Sequence, residues 1–117
     1  MSKFISKRSK IFLAGANGMV GKSIKKSLIN CGYGLIRNKG EILCPSREEL
    51  DLFDYLAVKS WFKIKKPDIV ILAAAKVGGI LANSNKPADF LLENLKIQTN
   101  VIEASWLSGV KKFLFLG

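Results

Sequence analysis

The chain has 117 residues, 49% apolar and 24% charged, with 19 Lys and Arg against 9 Asp and Glu and a net charge of +10. That length allows one domain burying roughly two thirds of the unfolded surface, and that apolar fraction excludes a disordered polymer. Histidine is absent, which excludes His-based triads and the common His-containing zinc sites.

Met1 to Lys10 is basic and precedes apolar residues, as a secretory signal does. Gly15, Asn17 and Lys22 interrupt the apolar part, however, and no small-residue cleavage site follows. No apolar run approaches the ~18 residues needed to cross a bilayer. The expectation is a cytoplasmic protein with no membrane partner, in which Cys31 and Cys44 are reduced, buried thiols. Every charged residue before Glu41 is basic, and the acids all lie from Glu41 onward. Such asymmetry can mark nucleic-acid binding. Neither an aromatic-interleaved basic stripe nor a recognition-helix pattern accompanies it, so no nucleic-acid partner is expected. The positive surface favours an anionic cofactor instead.

Lys10 to Ala14 reads as a short apolar strand running into Gly15-Ala-Asn-Gly18-Met-Val-Gly21, then a helix carrying Met19, Val20, Ile24 and Leu28. The G-x-x-G-x-x-G spacing is a variant of the G-x-G-x-x-G dinucleotide fingerprint. Gly15 makes the tight turn, Gly18 lets backbone amides approach a pyrophosphate, and Gly21 lets the helix pack closely on the strand. The free N–H groups and positive dipole end of the helix face the anion. A tight strand–helix turn without ligand is the plainer alternative.

Asn30 to Gly34 stops this helix, with Gly32 or Gly34 suited to a left-handed cap. Leu35 to Gly40 is a loop, and Glu41 to Cys44 a second strand ended by Pro45. Ser46 to Glu49 forms a turn, and Asp54 caps a helix over Tyr55 to Lys65 with an apolar face of Leu56, Val58, Trp61 and Phe62. Ile69 to Ala75 is a continuous apolar run, as a parallel strand buried on both faces requires. Pro87 to Ser108 is a long helix with apolar residues around most of its circumference, so it packs on the sheet and on something else. Lys111 to Gly117 is a last strand. The βαβαβαβ alternation predicts an α/β, Rossmann-like doubly wound parallel sheet with strand order 3-2-1-4 and the ligand over the strands' carboxyl ends.

NAD sites usually carry an acid at the end of the second strand. Glu41 begins that strand, whereas Ser46 and Arg47 follow its carboxyl end. A guanidinium with a nearby hydroxyl suits a 2′-phosphate, which favours NADP over NAD.

Gly15 to Gly21, Arg47-Glu-Glu-Leu-Asp-Leu52, Ala73-Ala-Ala-Lys-Val-Gly-Gly-Ile80, Pro87-Ala-Asp-Phe90 and Phe113-Leu-Phe-Leu-Gly117 together resemble GDP-L-fucose synthase. That family consists of extended short-chain dehydrogenase/reductases that epimerise and reduce GDP-4-keto-6-deoxy-D-mannose with NADPH. The resemblance covers essentially the whole chain but only the amino-terminal part of the family's length. It implies one dinucleotide-binding domain over 1–117, lacking the catalytic half. It implies pyrophosphate contacts from Gly15, Ala16, Asn17, Gly18, Met19, Val20 and Gly21, and a 2′-phosphate contact from Arg47. Adenine contacts from Asp51 and Leu52 are implied too, with cofactor-lining backbone at Ala73, Ala74, Ala75, Leu116 and Gly117. The family commonly has a basic residue where this chain has Asn17, which leaves NAD as the alternative cofactor. A GDP-sugar substrate belongs to a complete enzyme, and the helix 87–108 is implied as a homodimer face.

The family's catalytic Ser follows the Leu-Gly at the end of this sequence, and its Tyr-x-x-x-Lys pair comes later still. Tyr55-Leu-Ala-Val-Lys59 matches that pair in spacing but lies in a helix that covers the sheet, away from a nicotinamide. The resulting expectation is an NADP(H)-binding portion of an epimerase/reductase, inactive alone. The alternatives are a non-enzymatic dinucleotide-binding regulatory module, or a subunit completed by a separate chain.

Overall fold

Ile11 to Ala14 are all buried, which a strand allows only when both edges are paired and both faces covered. The computed structural model describes residues 6–15, 18–73 and 87–115, with side chains of the last segment described from Leu92. In chain order its elements are β1 (Lys10–Ala14), α1 (Met19–Asn30), a 3-10 turn (Ile36–Asn38), β2 (Glu41–Leu43), α2 (Tyr55–Lys65), β3 (Ile69–Leu72), α3 (Pro87–Ser108) and β4 (Lys112–Phe115). The four strands form one parallel sheet, with Phe12 opposite Leu43 on one side and Val70 on the other.

Side-chain alternation along β1 builds two cores. Phe12 and Ala14, with Val70 and Leu72 of β3, face α2 and α3, where Val58, Phe62, Val101 and Ala104 cover them. Phe12 meets the ring of Phe62 edge-on at 4.8 Å and that of Trp61 at 5.1 Å. Ile11 and Leu13, with Ile69 and Ile71, face the other way, against Ile24 and Leu28 of α1. One helix therefore lies on one face of the sheet and two on the other.

This α/β sheet is the Rossmann-like architecture expected, but its order is β2-β1-β3-β4 and not 3-2-1-4. The expected order would leave the third strand at an edge. Its residues Ile69 to Leu72 are all buried, which demands a central place. Because α2 packs on the face opposite α1, a right-handed crossover carries the chain back past β1 and sets β3 on its far side. The short, half-exposed β2 takes one edge, and β4, exposed along its length, takes the other.

Local signals place the element ends. Gly32 adopts φ 95, and the Tyr33 N–H donates to the Leu28 carbonyl at 2.9 Å, closing α1 in a Schellman motif. Asp54 Oδ1 accepts from the Ala57 N–H at 3.2 Å and caps α2. At the amino ends of the strands, Asp68 joins β1 to β3: its Oδ2 accepts from the Lys10 N–H at 2.9 Å. The two thiols are free, but Cys31 is exposed and Cys44 half-buried. The expected full burial fails for Cys31 because it caps the solvent end of α1. Among the described residues no helix is long and apolar enough to cross a membrane.

Phe62 is fully buried between β1 and α3, whereas Ile64 on the same helix is 76% exposed. Chemical denaturation should show Phe62→Ala costing about 3–5 kcal/mol and Ile64→Ala no more than about 0.5 kcal/mol.

Candidate functional site

The chain leaves β1 in one direction to make β2 and returns to the other side of β1 to make β3. At such a reversal the connections diverge above the strands' carboxyl ends and leave a crevice. A cleft of about 220 Å³ lies there, lined by Ala14 at the end of β1, Gly15 and Gly18 after it, Cys44 and Pro45 after β2, Arg47, and the loop Leu50 to Phe53.

Gly15 turns the chain out of β1 with φ 88, a value in the region that glycine occupies without strain. Its carbonyl accepts from the Gly18 N–H at 3.1 Å. Gly18 is the N-cap of α1 and has no side chain to bond the first-turn amides, and no acidic residue sits in that turn. Among the described residues, a Cβ added at Gly18 would meet only the Gly15 carbonyl oxygen, at 3.5 Å. Gly18 therefore keeps the space above the helix end clear more than it relieves protein packing. Met19 and Val20 are exposed beside it, while Gly21 is buried. These features leave the first-turn amides of α1 without a side-chain cap beside the cleft, the arrangement by which helix ends in general hold anions.

The second wall carries the charge. Arg47 lines the cleft, and among the described residues its guanidinium has no hydrogen bond or ion pair. Asp51 spends one carboxylate oxygen on its own loop, accepting from the Phe53 N–H at 3.0 Å. The Leu52 carbonyl accepts from Asn100 Nδ2 at 2.8 Å, which fastens this loop to α3. Burial pushes the Cys44 thiol up, outweighing the opposing charge of Lys25, so it lines the wall as a protonated, weakly polar group.

Gly15, Gly18, Arg47, Asp51 and Leu52 thus share one cleft, with Met19, Val20 and Gly21 in the first turn of α1. Ala73 continues the β1–β3 ladder, its N–H donating to the Ala14 carbonyl at 2.9 Å, and does not line the cleft. Ala16, Asn17, Ala74, Ala75, Leu116 and Gly117 lie outside the described residues. Ser46 departs from its expected place beside Arg47 in the pocket. Its hydroxyl oxygen accepts from the Glu49 N–H at 3.2 Å, and Ser46 is not among the residues that line the cleft. The Ser-x-x-Glu spacing signals such a pair. Cys44 was legible only as the residue following the second strand.

The model of the NAD dependent epimerase/dehydratase family matches residues 11–117. The chain belongs to that family. It is 47% identical over 117 residues to GDP-L-fucose synthase 1 of Arabidopsis thaliana, covering all of this chain and 34% of that protein. A GDP-D-glycero-L-gluco-heptose synthase from Campylobacter jejuni, solved in the presence of NADPH, superposes with a TM-score of 0.83 at 37% identity. That match covers 97% of this chain and 31% of the other. A GDP-L-fucose synthetase from Naegleria fowleri bound to NADP gives a TM-score of 0.75 at 28% identity, over 95% of this chain and 32% of that one. The chain spans about a third of the length of these relatives and corresponds to an amino-terminal part of them.

In this family member neither Tyr55 nor Lys59 lines the cleft. The Tyr55 hydroxyl donates to Glu103 Oε2 of α3 at 2.5 Å. That bond to a carboxylate, more than burial, raises the phenol above its ordinary value, the opposite of what a readily ionised proton donor needs. The folded chain holds this proton more tightly than the unfolded one. The contribution to stability is therefore full below the ordinary phenol value of about 10 and is lost as pH rises through the raised value. Absorbance titration should place one phenol above the ordinary range, and Glu103→Gln should bring it down.

Proposed function

We propose that residues 1–117 form the NADP(H)-binding portion of a GDP-L-fucose synthase-like epimerase/reductase and do not turn over substrate by themselves. The observation that carries this reading is the convergence of two anion-seeking groups on one cleft. The end of α1 at Gly18, without a side-chain cap, lies on one wall and the Arg47 guanidinium, unpaired among the described residues, on the other. In this reading Gly15, Ala16, Asn17, Gly18, Met19, Val20 and Gly21 wrap the pyrophosphate, and Arg47 takes the 2′-phosphate in a charge-assisted bond. Asp51 and Leu52 border the adenine, while Ala73, Ala74, Ala75, Leu116 and Gly117 provide backbone along the rest of the cofactor. A volume of about 220 Å³ suits the adenosine end of a dinucleotide. The bound cofactor supplies the hydride; the chain's own residues bind and orient it. A GDP-sugar is the substrate class of the complete enzyme, in line with the names of its relatives.

Calorimetry should show NADP binding more tightly than NAD, with Arg47→Ala weakening NADP by about 1–3 kcal/mol and leaving NAD unchanged. Equal affinity for both, indifferent to the substitution, overturns the assignment. The same protein should not oxidise NADPH with GDP-4-keto-6-deoxy-D-mannose, and turnover that disappears in Tyr55→Phe would reverse that part of the reading.

We also propose that α3 is a homodimer face. Leu92, Leu95, Ile102 and Trp106 are 51%, 47%, 48% and 79% exposed. With exposed Thr99 they recur at alternating steps of three and four residues, the seam spacing of paired helices. Sedimentation should find a dimer that Trp106→Glu converts to monomer while the melting profile of the domain is retained.

A further inference from the structure

Arg47 is carried by a turn that its neighbours close from both ends. The Ser46 N–H donates to Glu49 Oε1 at 3.0 Å, and the Glu49 N–H donates back to Ser46 Oγ at 3.2 Å. The Ser46 carbonyl also accepts from the Glu49 and Leu50 N–H groups, at 3.0 and 2.9 Å. Arg47 thus lies inside a reciprocal capping box. Leu50, 4% exposed, pins the downstream end of the turn in the core. The Glu49 carboxylate is held below the usual carboxylate range, first by the Ser46 N–H and then by its hydroxyl. One of its oxygens is taken by the Ser46 N–H, and among the described residues it forms no ion pair with the Arg47 guanidinium.

We infer that Glu49, acting through Ser46, is a positioning residue that sets Arg47 at the cleft and thereby its preference for 2′-phosphorylated adenosine. This rests on the reading of Arg47 given above. Without the box, the two-residue arc of Arg47 and Glu48 keeps only backbone bonds, and the guanidinium has to be ordered at the moment of binding. Removing the Glu49 carboxylate also removes a negative charge near an anion site. Electrostatics alone would strengthen binding of a phosphate, whereas loss of positioning weakens it. The sign of the change therefore separates the two effects.

The test measures affinities of the full chain for adenosine 2′,5′-bisphosphate and for 5′-AMP, whose ratio isolates the 2′-phosphate. Glu49→Ala should cut that ratio about fivefold, the usual scale of one lost cap, with 5′-AMP affinity unchanged. Glu49→Gln keeps an acceptor oxygen for the Ser46 N–H and should restore the ratio. Glu48→Gln, which removes the neighbouring charge without touching the box, should leave it alone. Arg47→Ala is the separate arm. If it leaves the ratio intact, the 2′-phosphate assignment itself fails. If it collapses the ratio while Glu49→Ala does not, only the positioning role fails. The inference is overturned as well if Glu49→Ala and Glu49→Gln lower both affinities equally together with the melting temperature, or if Glu48→Gln matches Glu49→Ala.

Discussion

β1 is bonded to β2 on one edge and β3 on the other, so Ile11, Phe12, Leu13 and Ala14 have no route to water. Each large apolar side chain hidden this way contributes about 1.5–3 kcal/mol, and the two faces of the strand can be covered only by separate layers. That forces α1 to one side and α2 with α3 to the other. With right-handed crossovers, the same arrangement fixes where the chain reverses beside β1. The fold and the location of its cleft follow from one demand, that a short apolar strand be buried on every side.

The cleft's chemistry follows from the parallel alignment. All the strands point the same way, so their carboxyl ends gather connections at one end of the sheet and the start of α1 faces that space. Gly15 turns the chain, and Gly18 leaves the helix end without a side-chain cap. The opposite wall comes from a loop tied to α3 through Asn100. Gly18 and Arg47 are thus carried by separate parts of the chain, held across the cleft by a common core.

The surface of α3 contrasts with this closed interior. Ile97, Val101 and Ala104 fill the core beneath it, while Leu92, Leu95, Ile102 and Trp106 remain in solvent. A helix apolar on two sides carries two packing obligations, and the sheet satisfies one of them.

Local chemistry made much of this legible from the sequence. The glycine spacing, the apolar run at Ile69, the Asp54 cap and the Gly32 stop each act over a few residues, and the helices Tyr55–Lys65 and Pro87–Ser108 have the bounds those signals indicate. The family resemblance lay equally in contiguous residues. What the sequence left open depends on partners far along the chain. Strand order turned on which face α2 covers, a choice made by the fit of Phe62 and Trp61 around Phe12. Cys44 became a cleft wall only because β2 pairs beside β1, and the Tyr55 hydroxyl is taken up by Glu103 from a helix that follows two elements later. A sequence states each residue's propensity and reach, but burial and hydrogen-bond partners belong to surfaces that exist only once the layers have packed.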